Sequence, residues 1–177
     1  VPTADTFVIS QGAALGTNNI MSVATSGEIN YPLQPAFLAY MTTSVLNVTG
    51  DLTVYTVIFD TEVYDQNGDF NLGTSTFIAP VTGKYLFNYY VSIIGGVVIN
   101  QGGARIVSTA LTYQAACTLG AAVTTTANAQ LSLTINMIAG DSVTFNVFMN
   151  DTGGKVDDVQ GLNGGIARTF VSGQLVC

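Results

Sequence analysis

Apolar and polar residues alternate with a period of two over much of the chain. Between Lys84 and Ile94 the odd positions are all apolar, whereas the even positions include Lys84, Asn88 and Ser92. Successive side chains of a β-strand point to opposite faces, so this segment predicts a strand with one face in a core. No segment combines a 3.6-residue repeat with helix-capping residues. The pattern therefore predicts an all-β protein.

The same alternation occurs in two neighbouring segments near the C-terminal third of the chain. Leu131–Met137 and Val143–Val147 both alternate, and the turn residues Ala139-Gly140-Asp141 lie between them. Two alternating segments joined by a short turn are typical of an antiparallel hairpin. We therefore predict that these two strands pair with each other.

Further strands are predicted wherever Thr, Val, Ile, Tyr and Phe are enriched between Gly, Pro, Asn or Asp residues. Many short strands separated by turns indicate a β-sandwich or barrel, and a helix-free jelly roll suits a domain of 177 residues. The predicted segments are Phe37–Met41, Thr53–Val63, Thr76–Ala79, Ile106–Tyr113 and Thr169–Val176.

The first 34 residues differ from the rest of the chain. Thr6–Ser10 and Ile20–Ala24 resemble short strands, but small and polar residues separate them and leave too little apolar surface for a core. We predict a β-rich stem over residues 1–34 that must pair with other chains, followed by a globular head over residues 35–177. The chain begins at Val1 without an initiator Met or a signal peptide, so we expect it to be part of a longer protein.

Composition excludes several classes of function. The chain has 4 basic and 11 acidic residues, a net charge of −7, which argues against binding to nucleic acid or anionic lipid. It contains no His, the commonest general base and metal ligand, and no apolar run long enough to cross a membrane. Charged residues make up only 8%, so a monomer would expose broad apolar surface that we expect symmetry mates to cover.

The two cysteines, Cys117 and Cys177, do not define a redox compartment. One buried thiol and one thiol at the end of the chain are expected, rather than a disulfide.

Five motifs in the chain form an ordered set: Pro35–Ala39, Val57–Thr61, Phe77–Phe87, Ala139–Val143 and Phe170–Leu175. The matching region spans Pro35 to Val176, about four fifths of the chain. The order and spacing of these motifs resemble those of the globular head of complement component C1q and its relatives.

The resemblance implies a ten-stranded C1q/TNF-like jelly roll that forms a tight homotrimer. Residues matching the family's trimer-facing aromatics and glycines are expected at the threefold axis, although an ordinary core within one subunit is an alternative for the Tyr and Phe positions. These residues are Tyr85, Phe87, Phe170 and Gly173.

The segment before the head has no collagen-like Gly-x-y repeat. The residues before Pro35 instead resemble the β-rich stems of bacteriophage and bacterial surface fibres, and the segment Gly27–Phe37 resembles fibre-tip sequences. We therefore expect an extracellular fibre tip, on a virion tail fibre or a cell surface.

Loops of an antiparallel jelly roll alternate between two poles. The short turns Pro80–Gly83 and Ile138–Asp141 are predicted to share a pole with the stem, and the longer connections Gly95–Ala104, Gly120–Gln130 and Asn150–Ala167 to lie at the opposite pole. Such loops often carry recognition. The predicted ligand-binding residues are Asp151, Lys155, Asp157, Asp158, Asn100 and Gln101; the alternative is a solvated loop whose acids confer solubility.

Candidate metal and catalytic motifs are incomplete. Asp65–Asp69 has the alternating oxygen ligands of a calcium loop, but Thr76 stands where the bidentate Glu is required, which favours a polar turn. Asp60 and Glu62 are predicted to share one face of a strand, which a glycosidase pair of carboxylates requires, yet Asp60 belongs to the Val57–Thr61 family motif. No nucleophile elbow or phosphate loop occurs, and no cofactor or metal is expected.

The sequence therefore predicts a non-enzymatic, trimeric fibre-tip domain that recognises a glycan or protein on a host or prey cell. A purely structural trimerisation cap and a polysaccharide-degrading tip are the alternatives.

Overall fold

A computed structural model describes residues 7–11, 18–95, 99–117 and 126–177 of the chain. Every regular element in these ranges is a strand, so no helix in them could span a membrane. The strands are β1 (Phe7–Ser10), β2 (Asn19–Val23), β3 (Ile29–Asn30), β4 (Ala36–Tyr40), β5 (Val45–Thr49), β6 (Tyr55–Thr56), β7 (Thr61–Asp65), β8 (Phe70–Asn71), β9 (Thr76–Ile78), β10 (Gly83–Ile94), β11 (Ile99–Ser108), β12 (Thr112–Cys117), β13 (Thr126–Met137), β14 (Ser142–Asp151), β15 (Asp157–Val159) and β16 (Phe170–Leu175).

Two antiparallel sheets form the head. In the first, β10 pairs along its whole length with β13; its other edge pairs first with β16 and then, at Ile93 and Ile94, with β15. β4 and β7 extend this sheet beyond β16, and β5 pairs with β15. The second sheet has the order β12-β11-β14-β9-β8, and β6 pairs with β14. The arrangement is a jelly roll, as predicted from the sequence.

The core lies between the two sheets. The odd positions of β10, from Tyr85 to Ile93, are buried, as are Val143, Phe145 and Val147 of β14. The ring of Phe145 lies 5.5 Å from that of Tyr89 and 6.0 Å from that of Phe87, within the range of favourable aromatic pairs. The period-two pattern of β10 is therefore confirmed as the signature of a half-buried strand.

The predicted hairpin between Leu131–Met137 and Val143–Val147 is wrong. β13 pairs with β10 in the first sheet, whereas β14 pairs with β11 in the second. The turn at 138–141 carries the chain from one sheet to the other, and across the core β13 lies nearest to β11 and β12. Alternation identifies the buried face of each strand, but it does not identify the strand's hydrogen-bonding partner.

Two predicted strands are each divided. Thr53–Val63 becomes β6 and β7, because residues 57–60 make hydrogen bonds outside a ladder: Val57 N donates to Phe145 O, and Phe59 N donates to the hydroxyl of Ser75. Ile106–Tyr113 is interrupted by a turn, in which Ser108 N donates to Leu111 O, and the chain returns as β12.

The stem segment contains a separate antiparallel sheet in the order β1-β2-β3. Thr6 lies outside the described residues, but the rest of the two predicted short strands, apart from Ala24, is in β1 and β2. The register brings Phe7, Val23 and Ile29 into one row across the three strands. One face of this sheet is therefore apolar.

Candidate binding surface at the pole opposite the stem

The head has two unlike poles. β10 begins at one pole, where the turns 80–83 and 138–141 meet through a hydrogen bond from Ala139 N to the Thr82 hydroxyl. The stem joins this pole, because Gln34 Nε2 donates to Leu175 O at 3.0 Å. An apolar groove of about 240 Å³ lies there, lined in part by Tyr31, Leu33, Pro80 and Val81. The predicted position of the two short turns matches this arrangement.

The opposite pole is formed where β10 ends. Ile94 pairs with Asp158 of β15, and Asp157 pairs with Thr49 of β5. The backbone N–H of Asn47 donates to the Asp158 carboxylate at 2.7 Å. These contacts dock residues 150–159, here called the acidic strip, onto residues 47–53, here called the strained loop.

Asp157 is the most unusual residue of the acidic strip. Its exposed fraction is 0%, and among the described residues neither carboxylate oxygen has a hydrogen-bond partner. Burial, which is the largest cause, and the nearby carboxylates of Asp151 and Asp158 together raise the pKa of Asp157 to about 6. Loss of water without replacement partners penalises the charged form of a carboxyl group.

Because Gly50 has no side chain, the backbone of the strained loop can lie close to the Asp157 carboxylate. A Cβ at position 50 would lie 3.0 Å from Asp157 Oδ2 and would also meet the carbonyl oxygen of Gly154. Gly50 has a φ of 122°, which residues with a side chain rarely adopt. A side chain at this position would push the acidic strip away from the strained loop.

The other predicted ligand-binding residues of the acidic strip fall into two groups. Asp151 is 6% exposed, and its Oδ1 accepts a hydrogen bond from Gly153 N at 2.9 Å. Lys155 is exposed and Asp158 is half-buried. The expectation that Asp151 and Asp157 contact a ligand directly is therefore corrected, because both side chains are enclosed by their own subunit. Of the four predicted residues in the strip, only Lys155 and Asp158 present side chains to solvent.

Asn100 and Gln101 lie on a strand, not in the long loop predicted over Gly95–Ala104. β11 already begins at Ile99, and Gln101 pairs with Asn150 next to the acidic strip. Both side chains are exposed. The structure thus brings Gln101 to the pole that carries Lys155.

The other long connections are also shorter than predicted. Residues 120–125 of the predicted loop Gly120–Gln130 lie outside the described residues, but β13 has begun by Thr126. The predicted loop Asn150–Ala167 contains the end of β14 and all of β15. Short polar strands such as Asp157–Val159 lack the alternating pattern by which sequence analysis finds strands.

Three of the predicted trimer-facing residues belong to the core of one subunit. Tyr85 and Phe87 are fully buried, and a Cβ on Gly173 would lie 2.8 Å from the Phe87 ring. Such residues have no surface left for a neighbouring subunit, so the expectation is corrected to its alternative, an intrasubunit core. Phe170 differs, because it is half-buried on the outer face of the first sheet.

Sequence analysis missed two aromatic residues beside Phe170. Phe170 pairs with Tyr40 on one side and with Tyr90 on the other, and its ring stacks on that of Tyr90 at 5.2 Å. We call Tyr40, Phe170 and Tyr90 the aromatic row. The even positions of β10 could have revealed Tyr90, because they point away from the core, but the partner strands were needed to complete the row.

Carboxylates of the candidate metal loop have structural partners. The Asp65 carboxylate accepts hydrogen bonds from the backbone of Gly68, Asp69 and Phe70, which is the geometry of a polar turn. No group of three His, Cys, Asp or Glu side chains that could ligate a metal ion occurs within the described ranges.

Asp60 also has a structural role. Burial would raise the pKa of Asp60, but hydrogen bonds from Thr42, Thr43 and Thr61 outweigh burial and hold the pKa below its ordinary value. The general acid of a glycosidase needs a raised pKa, so this environment is the opposite of what catalysis would require.

Two antiparallel sheets in jelly-roll order, with a buried aromatic core and polar connections at one pole, define a C1q/TNF-like β-sandwich. The family model of the C1q domain matches residues 36–163, and the chain therefore belongs to the C1q domain family.

Solved structures with this fold include the globular domain of zebrafish complement 1qA, which is 18% identical, with a TM-score of 0.57 over 81% of this chain and 98% of that one. Murine APRIL is 12% identical, with a TM-score of 0.55 over 81% of this chain and 99% of that one. These identities support a shared fold only. No curated protein matches the chain.

Proposed function

We propose that this protein is a trimeric, extracellular recognition domain at the end of a fibre, which binds a glycan or protein on a cell surface through the pole opposite the stem. C1q/TNF-like domains are generally trimeric receptor-binding modules and are typically extracellular and non-enzymatic. The observation that carries the proposal is the chemical difference between the two poles. One pole is apolar and joins the stem, whereas the other displays Lys155, Asp158, Asn100 and Gln101.

The outer face of the first sheet supports association of the head. The aromatic row lies across three central strands, and the next row contains Leu38, Ser172 and Asn88. No ionisable group belongs to these two rows except the tyrosine hydroxyls. A neutral, aromatic surface of this kind is what a subunit interface buries, and in a single subunit it faces water.

The stem supports the same assembly. The apolar row of Phe7, Val23 and Ile29 has a neighbouring row in which Ile9 pairs with Met21. Phe7 is 61% exposed and Ile29 is 55% exposed, so the part of the chain that the structure describes leaves this face open to solvent. A three-stranded sheet this small is marginal when alone, and three copies with their apolar faces turned inwards would bury it.

The polar pole offers groups suited to weak, multivalent binding. The amide side chains of Asn100 and Gln101 can both donate and accept hydrogen bonds, and Lys155 and Asp158 add one charge of each sign. Such groups bind sugar hydroxyls or polar protein surfaces with low affinity at each site. Three copies on one axis would raise the overall avidity by about 10²–10⁴.

The proposal is tested by binding of the whole chain to cells or to a glycan array. The triple variant N100A/Q101A/K155A should lose most binding while keeping its unfolding temperature, because all three side chains are exposed. Leu111→Ser is the matched control, because Leu111 is 61% exposed but lies in the turn after β11, at the stem pole.

The outcomes separate the alternatives. A wild-type trimer that binds no cell or glycan would favour a purely structural cap. Release of reducing ends from an envelope polysaccharide would favour the degrading tip. Unchanged binding by the triple variant would contradict the assignment of this pole.

A further inference from the structure

Asp157 has no role in the contacts proposed above, because it is buried. It lies on β15, between Thr49 of β5 on one side and the end of β10 on the other. A carboxyl group in this position without a hydrogen-bond partner is costly when ionised. The residue therefore needs a compensating positive charge or a proton.

The surrounding elements supply no positive charge to it. Asp151 at the end of β14 and Asp158 on β15 both face Asp157 with like charge. Lys155 acts on Asp51 of the strained loop, where hydrogen bonds from Thr53 are the larger cause of a lowered pKa. β5 (Val45–Thr49) and the end of β10, Ile93 and Ile94, contain no ionisable residue. A proton is therefore the partner that the described surroundings leave for Asp157.

The segment docked against Asp157 is held in an unfavourable backbone conformation. Asn47, Gly50 and Leu52 have φ angles of 56°, 122° and 68°, and positive φ is uncommon for a residue as bulky as Leu. Docking is maintained by backbone bonds, including Asp151 N to Gly50 O at 2.6 Å and Leu52 N to Met149 O at 2.8 Å. Strain of this kind persists only while the surrounding contacts enforce it.

We propose that the acidic strip and the strained loop form a proton-controlled clamp, which is closed when Asp157 is neutral and loosens when Asp157 is ionised. Because the strip carries Lys155 and Asp158, the clamp would regulate the binding surface, and this consequence rests on the proposed function. The clamp itself does not depend on any ligand.

The direction of the pH effect follows from the raised pKa. In the unfolded chain Asp157 would titrate near its ordinary value of about 3.9, whereas in the folded chain it titrates at about 6. Between these values the folded state binds the extra proton, so stability falls as pH rises from 4 to 6 and is flat above. The clamp is therefore closed in mildly acidic surroundings and loose at neutral pH.

Hydrogen–deuterium exchange of the wild-type chain at pH 5 and pH 8, corrected for intrinsic exchange rates, tests the clamp. Opening of residues 47–53 and 150–159 should increase at pH 8 by about tenfold, because about half of the effect of the pKa difference lies between pH 5 and pH 8. Asp157→Asn should abolish this dependence. Glu62→Gln, on an exposed edge strand, should behave as the wild type.

An unchanged pH response in Asp157→Asn, or none in the wild type, would overturn the proposal. If Asp157→Asn does not fold, a ¹³C titration of the carboxyl groups in the wild-type chain replaces this test. One Asp carboxyl group must then titrate near pH 6. If no Asp carboxyl group titrates above pH 5, the clamp is refuted. Addition of calcium at pH 8 should change nothing; protection by calcium that requires Asp157 would identify a metal as the partner and also refute it. Absence of cell binding by the wild-type chain, with the pH response intact, would count only against the proposed function.

Discussion

At the scale of single residues, several carboxylates that the sequence offers as ligand contacts have structural roles in the fold. Asp157 is enclosed, Asp65 caps its own turn and Asp60 holds the backbone of Thr42 and Thr43. A carboxylate in a sequence is ambiguous because solubility, capping and binding all use the same group. The partners of each oxygen decide between these roles.

Gly173 gives a residue-scale prediction about packing. Gly173→Ala should destabilise the head by about 1–3 kcal/mol, because the new methyl group would overlap the rings of Phe37 and Phe87. Denaturant unfolding measures the change. Gln174→Ala, the exposed neighbouring position, should stay within about 0.5 kcal/mol of wild type. Equal stability of Gly173→Ala and wild type would show that the two rings can move aside.

At the scale of elements, strands were easier to predict than their pairing. The alternation in β10 is long and regular, and the strand was found with nearly its observed bounds. β13 and β14 alternate equally well, yet they belong to different sheets. Whether a turn joins two strands of one sheet or crosses between sheets depends on the geometry of all the strands, which local pattern does not contain.

The stem sheet gives an element-scale prediction. Ile29→Asp should expose the stem to proteolysis before Pro35, because the charge would enter the apolar face that we propose is shared between copies. Asn30→Asp is the matched control, because it lies on the same strand but points to the opposite face. Limited proteolysis followed by mass spectrometry measures the cleavage. Equal cleavage of the two variants would argue against a packed stem face.

At the scale of the whole molecule, the low content of charged residues and the aromatic row both give the head a surface with little charge. A chain with 8% charged residues covers its surface with Thr, Asn, Ser and Gly, and the aromatic row and the row beside it on the outer face of the first sheet carry no charged residue. Little electrostatic repulsion would oppose contact between copies at such a face. The proposed trimer is therefore a consequence of composition as well as of fold.

The double variant Y90K/F170K tests the trimer. Placing two cations on the outer sheet face should convert a trimer into subunits of 18.4 kDa, because the cations of all three copies would meet near one axis. Sedimentation velocity at micromolar concentration measures the mass, and circular dichroism checks the fold. Leu111→Lys, on a remote turn, should remain trimeric. A wild-type chain that sediments as a monomer would contradict the assembly.

The sequence by itself determined the all-β class, the buried face of the main strand and the family, because each depends on residue type at fixed local spacing. Only the tertiary structure decided that β13 pairs with β10, that Tyr85, Phe87 and Gly173 lie inside one subunit, and that Asp157 has no hydrogen-bond partner among the described residues. Those facts depend on contacts between segments that are distant in the chain, and a local sequence pattern does not determine which distant segments are in contact.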